Sequence, residues 1–436
     1  MKLTNRQYPL SRACRIPARV NGFRVSRWML PALLFLPSFV MVGLMQSSMA
    51  AGMILCVAGL SLHFPTHRNW RTLRWSRQVM GRSAMLWLML SAGILIHAVV
   101  RMTSSDDLAM GRFLSGYIVF VWVALVAMVF SLVLSRVPAL LFSRRVDAVM
   151  AFLVVNALIG LTGIGLLPGG THKPVGIFAE PSHFALVLGP VMAYACVARR
   201  RWASQILVFF FLWGIFVQNL TVLLTCVLCL LLIIRFDWRM MILPVLAVLA
   251  GSLAEPDYFV SRLVISADSE NQSVLVLLQG WETAGLLLDK TRGWGAGLQQ
   301  FGVLDMVGDV GEKVDILSEG GVSKLDGGST AAKIVGEFGY FGVLGVLLYL
   351  VVFVLAFVWL RNIARFGAEG GGVFLGCSGF MFFVEMFARG VGYFSPTFFL
   401  CLSATFWWMA SRRAGVFPVR RQGTDASVRI RITGLR

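Results

Sequence analysis

The sequence predicts an all-α polytopic membrane protein of about 12 transmembrane helices, with both termini cytoplasmic and one long external loop. Three observations predict it. First, 58% of the 436 residues are hydrophobic and 14% are charged. The mean hydropathy of +0.78 lies far above that of a soluble domain. Second, the apolar residues fall into runs near the roughly 20 residues a spanning helix needs, separated by short charged loops. Third, the charge alternates. With the termini on the cytoplasmic side, the loops there hold 29 of the 39 Lys and Arg and four of the 21 acids. The opposite loops hold ten bases and 16 acids, and Glu385 sits inside a span. This is the positive-inside distribution. The net charge of +18 is therefore a topology signal, with attraction to anionic lipid, and not a nucleic-acid footprint.

Taken in order, residues 1–27 form a basic cytoplasmic N-terminus. This lead is long for a signal peptide cleaved near Ser48-Met49-Ala50. Nine spans occupy 28–254, at about 28–44, 49–62, 83–100, 113–134, 148–167, 183–198, 204–218, 220–234 and 240–254. A short external loop at 168–182 separates the fifth and sixth. Residues 255–337 are the only long polar segment. Within it, 273–290 reads as an amphipathic helix suited to a membrane surface, and 305–327 as an acidic, glycine-rich surface excursion. The last three spans lie at 338–360, 371–388 and 393–410, followed by a basic cytoplasmic tail at 411–436.

The cytoplasmic loops carry no Walker-type phosphate loop. Six of the seven cysteines lie in apolar runs, so there is no disulfide framework, and Cys226 and Cys229 lack the second ligand pair a metal site needs. Chemistry is expected outside. There, Glu180-Pro181-Ser182-His183 packs a carboxylate, a proline, a hydroxyl and an imidazole into four positions. Glu180 reads either as the cap of the sixth span, with Pro181 in its first turn, or as a general base or orienting carboxylate. Its apolar neighbours Phe178 and Phe184 would raise its pKa. Lys173, His172 and His183 bring cations or imidazoles to the same edge. External arginines are scarce, which singles out Arg262 and Arg292, whose planar forks suit phosphate. Gly293 and Gly295 allow either a plain turn or an anion cradle of backbone N–H groups. Glu385 and Arg389, at i and i+4, read as a local ion pair or as walls of a cavity shared with Glu180, to which Asn156, Gln218 and Asn219 add polar lining.

The stretch Gly176-Ile177-Phe178-Ala179-Glu180-Pro181-Ser182 resembles the GxFxEPS-type signature of Wzy-type polysaccharide repeat-unit polymerases. The Arg292–Gly297 turn and Gly336-Glu337-Phe338-Gly339-Tyr340-Phe341-Gly342 are similar to features of the wider polymerase and O-antigen ligase group. The likeness covers about 168–350. It implies a GT-C-like glycosyltransferase of a bacterial inner membrane with its site at the periplasmic face, where the long loop lies. The substrate would be a polyprenyl-diphosphate-linked oligosaccharide, with no metal and no cofactor. The product would be an exopolysaccharide, capsule or O-antigen, and a flippase and a chain-length co-polymerase would be partners. On this reading Glu180, Arg262 and Arg292 are catalytic, and Lys173, Ser182, His183, Gly293, Gly295 and Arg389 bind substrate. Lys173 stands where many relatives place arginine, and no RX10G spacing is present. The long loop lacks the histidine typical of ligases, which favours polymerase over ligase. The alternatives are a ligase-type transferase and a transporter or flippase of lipid-linked oligosaccharide; no internal repeat supports a transporter.

Overall fold

The computed structural model describes residues 27–66, 77–104, 108–167, 175–234, 266–269, 271–304, 306–318 and 327–411, with the backbone of 417–420 and 427–430. These residues form thirteen helices and one short antiparallel ribbon. The helices are α1 (Met29–Gly43), α2 (Ala50–Thr66), α3 (Arg77–Ser104), α4 (Met110–Leu134), α5 (Ala139–Leu161), α6 (Pro181–Val197) and α7 (Ala203–Phe216). They continue with α8 (Leu220–Ile233), α9 (Gln272–Lys290), α10 (Asp309–Ser318), α11 (Thr330–Ala364), α12 (Gly371–Phe387) and α13 (Pro396–Ser411). Strand β1 (Phe417–Arg420) pairs with β2 (Ser427–Ile430). Three helices hold segments long and apolar enough to cross a membrane, Gly81–Thr103, Met110–Leu134 and Thr330–Ala364, and six more are apolar but shorter. The protein is thus helical and of membrane-embedded character. The ninth predicted span, 240–254, lies outside the described residues.

Helix α6 is the hub. Its sequence is apolar on every side, so it has no face for water, and all 17 of its residues are buried. It packs against α5, α7, α8, α11 and α12, and touches α1 and α13. Pro181 starts it at the first helical position, where the missing N–H costs nothing. Small residues let neighbours close in. A Cβ at Gly52 would fall 2.5 Å from the Pro37 Cα, which is why α1 and α2 form a tight hairpin.

The ends of the bundle are polar and distinct. At the far end Arg200, just past α6, reaches Asp147 on α5 and Glu369 before α12 (3.2 Å). Beside it the Tyr194 hydroxyl pairs with Ser143 (2.9 Å) and accepts from the Gly370 N–H (3.1 Å). The motif end gathers the α1–α2 turn, residues 164–167, 175–180 and the α12–α13 loop. There Met41, Val42, Met49 and Ala179 form one apolar cluster with Leu167 and Val391 against it.

The external segment departs from the sequence reading in two places. The amphipathic helix appears as α9. The excursion at 305–327 contains a further helix, α10, because Glu282 of α9 accepts the N–H groups of Val310 (3.1 Å) and Gly311 (3.0 Å) and so fixes its start. In addition, α11 begins at Thr330 and not at 338. Ser329 caps it by accepting the Ala332 N–H (3.2 Å). Gly339, with φ 61°, breaks it internally.

Candidate functional site

The motif is built from its glycine outward. Gly176 has φ 60°, and a Cβ there would lie 2.0 Å from the Asn156 side-chain oxygen, so only glycine fits. That same oxygen accepts the Ile177 N–H (3.1 Å), and Val175 and Phe178 exchange backbone hydrogen bonds. Asn156 therefore holds the motif in shape. Phe178 is fully buried edge-on against Phe184 (5.4 Å), an anchor worth about 1.5–3 kcal/mol. Between this anchor and Pro181, Glu180 is forced into an extended conformation at the N-cap position of α6.

Glu180 makes no side-chain cap hydrogen bond. Its Oε1 instead receives Arg389 Nη2 (2.6 Å) and Nε (3.1 Å), the Ser182 hydroxyl, and lies 3.2 Å from His183 Nε2. Arg389 comes from the α12–α13 loop, 209 residues along the chain. Four of the candidate residues, Glu180, Ser182, His183 and Arg389, thus meet on one oxygen. Burial on its own would raise the Glu180 carboxyl. The neighbouring His183 and Arg389, with the Ser182 and Arg389 donors, outweigh it and hold the pKa at about 2. This corrects the expectation of a raised pKa: the apolar neighbours are present, but so is a fixed guanidinium. Burial lowers the His183 imidazole as well, so the lasting positive charge here is the Arg389 guanidinium.

Of the two readings of Glu385 and Arg389, the local pair is corrected, while Arg389 does lie with Glu180. Helix α12 ends at Phe387, so Arg389 is off the helix and turns to Glu180. Glu385 is fully buried and accepts from Ser395 (2.8 Å) and from Thr397 at the start of α13. Asn219 is a helix cap, accepting the Val222 N–H (3.0 Å).

Among the described residues, Arg292, Gly293 and Gly295 share no hydrogen bond or ion pair with this group. Arg292 is exposed, with φ 52°, and has no side-chain hydrogen bond or ion pair among the described residues. The glycines do not form an anion cradle. The Gly293 N–H donates to the Leu288 carbonyl (2.8 Å) and that of Gly295 to the Thr291 hydroxyl (2.8 Å). Ala296 and Gly297 donate to the carbonyls of Gly336 and Glu337, both at 2.8 Å. The loop is a docking strap laid across the break in α11. Lys173 and Arg262 lie outside the described residues, as does His172.

The structure adds residues that the sequence reading passed over. Lys333 is buried in the first turns of α11, with its ammonium 5.4 Å from the Tyr393 ring centroid. Glu337, one turn on, accepts the Phe301 N–H (3.3 Å). His97 Nε2 meets the Trp294 carbonyl at 2.8 Å, tying α3 to the strap. A lysine and a glutamate four apart in an otherwise apolar run were the available signal. Among the described residues no group of His, Cys, Asp and Glu is arranged to hold a metal ion. No protein-family model and no curated protein matches the chain.

Proposed function

We propose that the chain is a polysaccharide polymerase of the Wzy type, with 12 spans and both termini in the cytoplasm of a bacterial cell. It moves a growing glycan from polyprenyl diphosphate onto a lipid-linked repeat unit at the periplasmic face of the inner membrane. The observation that carries this reading is the Glu180–Arg389 pair at the start of the buried hub helix, with Ser182 and His183 on the same oxygen. An ionised carboxylate fixed on a rigid element at one end of an apolar bundle suits a hydroxyl-bearing substrate carried by lipid.

In the reaction the bond between the anomeric carbon and the diphosphate oxygen breaks as the acceptor hydroxyl attacks that carbon. The departing diphosphate takes the charge and can take up the proton. With so low a pKa, Glu180 serves by accepting the hydrogen bond of the acceptor hydroxyl and orienting it, and not as a strong base. Arg262 and Arg292 supply the positive charge that the leaving group needs.

The test is polymer length in a strain carrying Glu180→Gln or Arg292→Ala at normal protein level. Each substitution is expected to cut polymer synthesis roughly 10²-fold or more and to leave single lipid-linked repeat units. Full-length polymer from either variant removes that residue from the mechanism. Purified protein that lengthens lipid-linked glycans with no energy source supports the polymerase reading, whereas protein that only moves them across a bilayer supports a flippase.

A further inference from the structure

The loop that carries Arg389, residues 388–395 between α12 and α13, is gripped from two sides. Towards the motif, Arg389 reaches Glu180 (2.6 Å), and Val391 packs on the cluster of Met41, Val42, Met49 and Ala179. Towards α11, the Gly390 N–H donates to the Gly328 carbonyl (2.9 Å). A Cβ at Gly390 would come within 2.6 Å of the Ser329 carbonyl carbon, so backbone lies directly on backbone there. Tyr393 continues the contact with α11. It is buried, with its ring 5.4 Å from the Lys333 ammonium and packed on Phe120 and Phe398, and its hydroxyl pairs with the Glu337 carboxyl group.

Glu337 is also where the strap docks. Its carbonyl accepts the Gly297 N–H (2.8 Å), and its side chain accepts the Phe301 N–H (3.3 Å). One residue therefore holds the strap on one side and the Arg389 loop on the other. Ser182 and His183 belong to α6, as Glu180 does at its cap, so they meet the carboxylate through local geometry. Arg389 has no such help. Its N–H closes on the Val384 carbonyl (3.0 Å) past the end of α12, and the direction of its side chain depends on how the loop is held. A two-pronged contact needs its partner placed to within about 0.5 Å.

We propose that Glu337 and Tyr393 are positioning residues for Arg389: they hold the α12–α13 loop on α11 and so couple the strap to the Glu180 site. Movement of the strap is transmitted through Glu337 and Tyr393 to the guanidinium. The consequence for catalysis rests on the polymerase reading, but the coupling itself is testable without it.

The experiment reads the titration of Glu180 in purified full-length protein. In each background, the fall of melting temperature between about pH 5 and pH 3 is measured with Glu180 and with Glu180→Gln. The gap between the two falls reports how well Arg389 holds the carboxylate. His183, the other titratable group on Glu180, is common to both members of each pair, as is whatever stands at 333 and 337, so their own titrations cancel. Tyr393→Phe keeps the ring and removes the hydroxyl, and should shrink the gap by about half. Glu337→Leu should shrink it at least as much. Glu337→Gln keeps an acceptor oxygen for the Tyr393 hydroxyl and the Phe301 N–H, and should recover most of it. Tyr194→Phe removes a buried hydroxyl at the opposite end of α6, and should lower the melting temperature at every pH with the gap intact. An unchanged gap in Tyr393→Phe overturns the proposal whatever stability is lost, because a merely structural tyrosine acts alike at every pH. A gap that shrinks equally in Tyr194→Phe overturns it too. If Glu337→Leu fails to fold, Tyr393→Phe decides. Polymer synthesis should fall about threefold or more in Tyr393→Phe. A shrunken gap with wild-type polymer removes the Glu180–Arg389 pair from the polymerase mechanism and leaves the positioning standing.

Discussion

Glu180 places its charge where titration can report it. Its pKa is held at about 2 against an ordinary 4.5, so the carboxylate is better stabilised in the folded protein. That stabilisation is complete above about pH 4.5 and is lost as the pH falls towards about 2. Its size is about 2 kcal/mol once the residual exposure of both partners is allowed for. The melting temperature of purified wild-type protein should therefore fall between pH 5 and pH 3 more steeply than that of Glu180→Gln. Equal slopes would mean that Arg389 does not hold the carboxylate in solution. Arg389→Lys keeps the charge but loses the two-pronged contact, and should recover only part of the function in a polymer-length assay. The sequence left Arg389 two places, a local i,i+4 pair with Glu385 or a cavity shared with Glu180, and periodicity alone favoured the local pair. The partner it takes is 209 residues away and is set by where α12 stops.

At the scale of elements, α9, the strap and the broken α11 form one unit. The strap approaches α11 backbone to backbone: a Cβ at Gly295 would lie 2.4 Å from the Gly339 nitrogen and 2.6 Å from the Glu337 carbonyl oxygen. Gly295→Ala should cost about 2–4 kcal/mol, read as a lower melting temperature. Gly285→Ala, on an exposed and open part of α9, should instead stabilise by about 0.5–1 kcal/mol. If both have the same sign, the strap does not pack as described. The apolar helices and the amphipathic α9 were readable because hydrophobic period and length signal them directly. The start of α11 was not, since Lys333, Gly336, Glu337 and Gly339 made 330–337 look like loop. The helix survives there because Ser329 caps it and Glu337 is engaged by Phe301. Likewise α10 owes its start to Glu282, a residue far from it in sequence.

For the whole molecule, the two polar ends make a statement about sidedness. The Arg200 cluster closes one end and the Glu180 cluster the other, with the hub helix between them. If the charge bias sets orientation, Ser47→Cys should react with a membrane-impermeant maleimide from outside the cell. Ser204→Cys should react only after permeabilisation, with Cys14 replaced to clear the background. Both serines are exposed, so burial does not confuse the result. Labelling of both from one side would contradict the 12-span arrangement. The described cysteines lie buried or half-buried and offer little competing signal.

The long separation between Glu180 and Arg389 also orders events during synthesis. At about 5–20 residues per second, the ribosome needs roughly 10–40 s to reach the arginine after making the glutamate. Throughout that interval the carboxylate at the start of α6 has Ser182 and His183 beside it and lacks its guanidinium partner. Water or headgroups must shield it, because nothing in the first half of the chain supplies the guanidinium. A stalled or truncated product is therefore not a smaller version of the protein. Its hub helix starts at a carboxylate without the guanidinium, and only the α12–α13 loop completes that cluster.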